Sequence, residues 1–103
     1  MDEKYLQQSM ELIYFAGNAK SLAMEAIGKA EENNFESAEN KLQEAKKELH
    51  KSHKIQTSLM QEELEGVEIE KSILLIHSQD HFMSASLCCD LARKFINLHK
   101  KIN

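Results

Sequence analysis

The 103-residue chain carries 13 Lys and Arg against 17 Asp and Glu, a net charge of −4, which argues against nucleic-acid binding as its main task. Charged residues make up 29% and apolar residues 42%, a balance that fits a folded protein of one domain, residues 1–103, rather than a disordered chain. No apolar run approaches the roughly 20 residues of a membrane span, and the start Met-Asp-Glu-Lys lacks a signal-type apolar stretch, so a cytoplasmic protein is expected.

There is no Pro and only three Gly, so helix breakers are almost absent and an all-α fold is expected. Helical periodicity first runs from about residue 3 to residue 31. One stripe is Leu6, Met10, Ile13, Gly17, Met24 and Ile27. Beside it lies a stripe of Leu12, Ala16, Ala19, Ala23, Ala26 and Ala30, whose small side chains let a second helix come close. Glu31-Glu32-Asn33-Asn34 interrupts the pattern, and Asn33 with Glu36 predicts a capping box.

The second segment has a seam of Phe35, Ala38, Leu42, Ala45, Leu49, Ser52, Gln56, Leu59 and Glu63, and Gly66 stands where a helix C-terminus belongs. The third is expected to begin near Val67 to Ile69, with the seam Ile73, Ile76, Asp80, Met83, Leu87, Leu91, Lys94 and Leu98. Short connections imply an antiparallel, up-down-up three-helix bundle. Such a bundle is thin, and Ile73-Leu74-Leu75-Ile76 is more apolar surface than one helix face can bury. Self-association through the third helix is therefore expected. The adjacent Cys88 and Cys89 diverge on a helix and read as reduced packing residues.

Chemistry concentrates in Leu75-Ile76-His77-Ser78-Gln79-Asp80-His81-Phe82-Met83. His77 and His81 are one turn apart on a helix face, with Asp80 beside them. Three uses of this cluster are open. A neutral imidazole nitrogen of His77 can accept and release a phosphoryl group, with His81 and Gln79 as donors to its oxygens. His77, His81 and Asp80 can instead ligate zinc. Or the histidines are ordinary half-buried polar residues. Asp80 interrupts an apolar seam, so its carboxylate requires pairing, protonation or a metal, unless a slightly shifted register turns it to solvent. Around a threefold axis three copies of Asp80 converge, and an ion such as Mg²⁺ there neutralises them. Ser52-His53-Lys54-Ile55-Gln56-Thr57 on the second helix either fixes register or supports the His77 site from next door.

These blocks together resemble the enzyme IIA component of the lactose/cellobiose family (which includes N,N'-diacetylchitobiose carriers) of the bacterial sugar phosphotransferase system. The segment from Leu75 to Met83 resembles the signature around that family's phosphorylated histidine. His53-x-x-Gln56-Thr57 ahead of Gly66 and Phe35-Glu36-x-Ala38-Glu39 resemble two further blocks. Ser78, Phe82 and Ser52 depart from the residues common there (Ala, Leu and Ala), without removing a group that the transfer needs. The resemblance implies a homotrimer of three-helix subunits with the active histidine near a subunit boundary. It implies that His77 is phosphorylated on Nε2, that Asp80 coordinates a metal on the trimer axis, and that Gln79 and His81 line the site. It further implies that the phosphoryl group arrives from the histidine phosphocarrier protein HPr and leaves to a cysteine of a IIB component, which serves the IIC permease. A zinc-binding module and a peptide-binding module are the competing functions. The latter rests on one tetratricopeptide-like stretch from Ala26 to Ala45, where such arrays need about three copies.

Overall fold

A computed structural model describes residues 2–103. Three helices account for nearly all of them: α1 (Glu3–Glu31), α2 (Phe35–Leu64) and α3 (Ile73–Ile102). Each starts at a side-chain cap. Asp2 accepts from Lys4 N at 2.9 Å, Asn34 from Ser37 N at 3.3 Å, and Ser72 from Leu75 N at 3.1 Å. The bundle is a rod of 52 × 20 × 19 Å. Its pairings give the direction of each helix. Lys4 and Tyr5 at the start of α1 reach Glu62 at the end of α2, and Glu39 early in α2 meets Arg93 and Lys100 late in α3. The topology is up-down-up, as periodicity implies.

The α1–α2 turn differs from expectation by one residue. Asn33, not expected to be special beyond capping, adopts φ 62°, and Asn34 N–H donates to Lys29 O at 2.9 Å. Asn33 is thus the left-handed residue closing α1, and Asn34 is the cap that opens α2. Gly66 does for α2 what Asn33 does for α1. It sits at φ 93°, where a side chain is strained, and Val67 N–H reaches back to Glu62 O at 3.0 Å.

The start of α3 is the larger correction. The helix opens at Ile73, not near Val67 to Ile69. Residues 67–72 form an irregular connection whose one apolar anchor, Ile69, is buried in the core. Lys71 pins the segment, pairing with Glu63 and donating to Ile69 O at 3.2 Å. The cap offered by Ser72 and the β-branched, charge-rich run before it outweigh helical propensity there.

The core is built on small residues. Ala16, Ala19, Ala23, Ala26 and Ala30 of α1 are fully buried, with Ala38 and Ala45 of α2 and Ala85 and Ala92 of α3. Leu12, Leu42 and Ile96 are the largest completely enclosed apolar side chains. With so little bulk between them, α1 packs closely against both neighbours, while α2 and α3 touch least. Ser52, in the expected α2 seam, is buried because its hydroxyl donates to Leu49 O at 2.8 Å.

The expected α3 seam is not the core stripe of the single chain. Ile73 is 87% exposed, Met83 65% and Ile76 59%, and Leu87, Leu91 and Leu98 also face outward. The buried stripe is instead Leu75, Ser78, Ala85, Cys89, Ala92 and Ile96. Similarly, Leu6, Met10 and Met24 of the first α1 stripe lie outside, and the alanine stripe lies inside. On α1 the stripe of small residues is the packed one, as its spacing implies; on α3 the bulky seam faces outward and a smaller stripe is buried. Close helix packing selects the smaller.

Cys88 and Cys89 are both free, in line with the sequence. Burial pushes the Cys89 thiol up to about 11. Among the described residues, no helix is long and apolar enough to cross a membrane.

Glu39 ties α2 to the end of α3. Both guanidinium nitrogens of Arg93 donate to it, at 2.7 and 2.8 Å, and Lys100 Nζ at 2.7 Å. Arg93 first and Lys100 second hold its carboxyl down to about 2. Its contribution to stability is therefore complete above the ordinary carboxylate value and vanishes as pH falls through about 2. Glu39→Gln is expected to cost about 1 kcal/mol at neutral pH, the scale of a forked arginine pair near the surface. Denaturant unfolding at several pH values checks this: the gap between wild type and variant should narrow steadily below pH 4.5.

Candidate functional site

The polar cluster lies in the first half of α3, and the helix distributes it over two flanks. Successive residues rotate by about 100°, so His77 and His81 share one side while Gln79 points to nearly the opposite one. Contacts identify the sides. Lys20 of α1 donates to Ser84 Oγ at 3.3 Å, which places the His77–His81–Ser84 edge beside α1. Gln56 Nε2 of α2 donates to Gln79 Oε1 at 3.1 Å, which places Gln79 beside α2.

On the α1 flank, the His77 and His81 rings meet edge to face, with centroids 4.4 Å apart and planes at 81°. His77 is exposed and His81 half-buried. His81 Nδ1 is buried with no hydrogen-bond partner. Burial above all, then the neighbouring His77 and Lys20, lowers the His81 pKa, and Asp80 opposes them. His81 thus favours its neutral form, in which one ring nitrogen donates and the other accepts.

On the α2 flank, Gln79 is held at both ends of its amide. It accepts from Gln56, and its Nε2 donates to Ser78 Oγ at 3.3 Å. The fully buried Ser78 hydroxyl in turn donates to Leu75 O at 2.6 Å. His53 of α2 stacks on Phe82 of α3, with centroids 5.4 Å apart and planes at 14°. Within one chain, then, the expected site residues form two groups. His77 and His81 stand together, while His53, Gln56 and Gln79 stand together on the other side of α3.

Asp80 belongs to neither group. It lies on the outward face of α3, between the exposed Ile76 and Met83. Among the described residues no three His, Cys, Asp or Glu side chains converge so as to hold a metal ion. The zinc set of His77, Asp80 and His81 is therefore not assembled by one chain.

Lys20, Ser84 and Phe82 escaped the sequence reading as site neighbours. A usable signal for Lys20 existed: it is a long cation within Ala16-Gly17-Asn18-Ala19-Lys20, where small residues bring α1 closest to its partners. No sequence signal paired His53 with Phe82.

Residues 7–100 match the family described as the PTS system, lactose/cellobiose-specific IIA subunit. The lichenan-specific phosphotransferase enzyme IIA component of Bacillus subtilis is 42% identical over 102 residues, covering 99% of this chain and 93% of that protein. The crystal structure of the PTS cellobiose-specific enzyme IIA from Bacillus anthracis superposes with a TM-score of 0.95 at 40% identity, over 99% of this chain and 94% of that one. A IIA(chitobiose)–HPr complex of the Escherichia coli N,N'-diacetylchitobiose branch gives 0.79 at 30% identity, over 97% of both chains.

The Gln56–Gln79 bond is a test of the α2 flank. Gln56→Ala should lower stability by about 1 kcal/mol, the usual worth of such a bond, and shift the Gln79 side-chain amide signal in an NMR spectrum. An unmoved signal would mean that the bond does not form in solution.

Proposed function

The chain belongs to the lactose/cellobiose-specific IIA family of the phosphotransferase system, and from that premise we propose that it is a cytoplasmic phosphoryl carrier acting through His77. The observation that carries the proposal is the exposed His77 ring, mid-helix and braced edge-on by His81 at 4.4 Å. A long helix fixes the nucleophile while leaving its nitrogen open to large protein partners, which is most of what phosphoryl transfer requires.

The transfer balances without water or free protons. The neutral His77 ring, protonated on Nδ1, directs its Nε2 lone pair at phosphorus on the donor's phosphohistidine. The new N–P bond forms as the donor's N–P bond breaks, and the donor imidazole leaves neutral. In the second step a thiolate on the IIB component attacks the same phosphorus, and His77 leaves as a neutral imidazole. HPr is the proposed donor, the partner bound by the similar chitobiose IIA. Through IIB the group would reach a β-linked disaccharide at the IIC permease, so this chain touches no sugar.

The split of the polar residues over two flanks supports assembly as a homotrimer. In a ring of three, the α1 flank of one subunit can face the α2 flank of the next. His53, Gln56 and Gln79 would then complete the surroundings of a neighbour's His77. The outward apolar stripe of α3 supplies the surface that such an assembly buries. Asp80 sits on that stripe, and no ion pair holds its carboxylate among the described residues. Its hard oxygens fit Mg²⁺, with the remaining ligands coming from other copies or water. The same oxygens and the lack of a three-donor cluster in one chain weigh against zinc.

Incubation with phosphoenolpyruvate, enzyme I and HPr should place one acid-labile, base-stable phosphoryl group on the chain. His77→Gln should abolish it; label retained in that variant would end the proposal. A peptide-binding module would take no label at all. For the assembly, Asp80→Leu should keep the trimer and raise its melting temperature, since apolar packing replaces converging charges. Dissociation to monomers, read by sedimentation, would place Asp80 elsewhere.

A further inference from the structure

We propose that Lys20 of α1 is the cation that binds the phosphoryl group carried by His77. This rests on the phosphocarrier function but adds a residue from another helix, one that the motif around His77 does not contain.

Lys20 occupies an unusual position. Its backbone lies hard against α3, where Cys88 Sγ is 3.9 Å from Lys20 O. Its side chain crosses to Ser84 Oγ at 3.3 Å. Ser84 in turn donates to His81 O at 3.2 Å, so the ammonium rests one turn beyond His81 on the His77 edge. Several other lysines of α1 and α2 are neutralised: Lys4 pairs with Glu62, Lys41 with Glu25 and Lys51 with Glu48. Among the described residues no carboxylate pairs with Lys20. Its partner is a neutral hydroxyl, a weak hold for a full positive charge.

Direction matters too. α1 and α3 run parallel, and side chains lean toward helix N-termini. Lys20 therefore extends along α3 toward His81 and His77, not away from them. Its charge already reaches His81, where it opposes protonation. His81, between Ser84 and His77 on this edge, keeps its buried Nδ1 without a hydrogen-bond partner.

A phosphoryl group on His77 brings two negative charges to this edge. The ammonium then exchanges the Ser84 hydroxyl for a phosphoryl oxygen, its stem turning along the α3 edge past His81. Lys20 neither accepts nor donates a proton in this step. It offsets charge that gathers on the three oxygens while one N–P bond forms and the other breaks.

The test compares Lys20→Met, Lys20→Arg and Ser84→Ala in the full chain. Single-turnover phosphorylation by phospho-HPr is timed, and the phosphohistidine is followed by ³¹P NMR across pH. Lys20→Met keeps the stem and loses the charge. It should slow phosphorylation by roughly tenfold or more and raise the pH at which the phosphoryl group takes up its last proton. Lys20→Arg should restore most of both. Wild-type rate and an unmoved ³¹P titration in Lys20→Met would overturn the inference, while label on wild type would leave the carrier function standing. Ser84→Ala slowed as far as Lys20→Met would also overturn it, because Lys20 would then serve only to tie α1 to α3. No label on wild type would sink both.

Discussion

The alanine stripe of α1 is the constraint from which the rest of the structure follows. Five alanines at helical spacing, all fully enclosed, let α1 approach α2 and α3 closely. A narrow core has no room for many large side chains, so it holds few beyond Leu12, Leu42 and Ile96. The bulkier apolar residues of α3 are displaced to its outward face. The same close approach carries Lys20 across the α1–α3 boundary and seats His77 and His81 on that boundary rather than in the interior. Fold and site thus share one cause, the small side chains of the first helix.

Much of this was legible in the sequence, and the failures are instructive. Period and the absence of Pro located α1 and α2 almost to the residue, and Gly66 closes α2 where expected. The expected α3 seam is the outward face rather than the core stripe, because hydrophobicity ranks Leu, Ile and Met above Ala while close packing ranks them below. The opening of α3 was missed because Val67 and Ile69 read as helix pattern, yet Ile69 is a single anchor in an irregular segment. At the site, the neighbourhood of His77 and His81 follows from their spacing. The pairing of Gln56 with Gln79 and of His53 with Phe82 does not, since it depends on how two helices are rotated against each other.

The division of α3 into flanks also explains why polar residues occur mid-helix at so little cost. Gln79, Ser78 and Gln56 satisfy one another in a short chain of bonds that ends on a backbone carbonyl. On α3 His81 differs, with one ring nitrogen buried and unserved. An unserved group beside an exposed imidazole is a place where the fold gives up stability, and such places mark function more reliably than satisfied ones do.

The two adjacent cysteines illustrate the same geometry from another side. A rotation of about 100° per residue seals Cys89 in the core, with its thiol pushed up to about 11, and leaves Cys88 half-buried against the Lys20 carbonyl. Neighbours in sequence thus become chemically unlike. A thiol-directed fluorophore would discriminate between them and settle at Cys88. There it would lie in the crevice between the first and last helices, a ready-made reporter on the separation of those two rods.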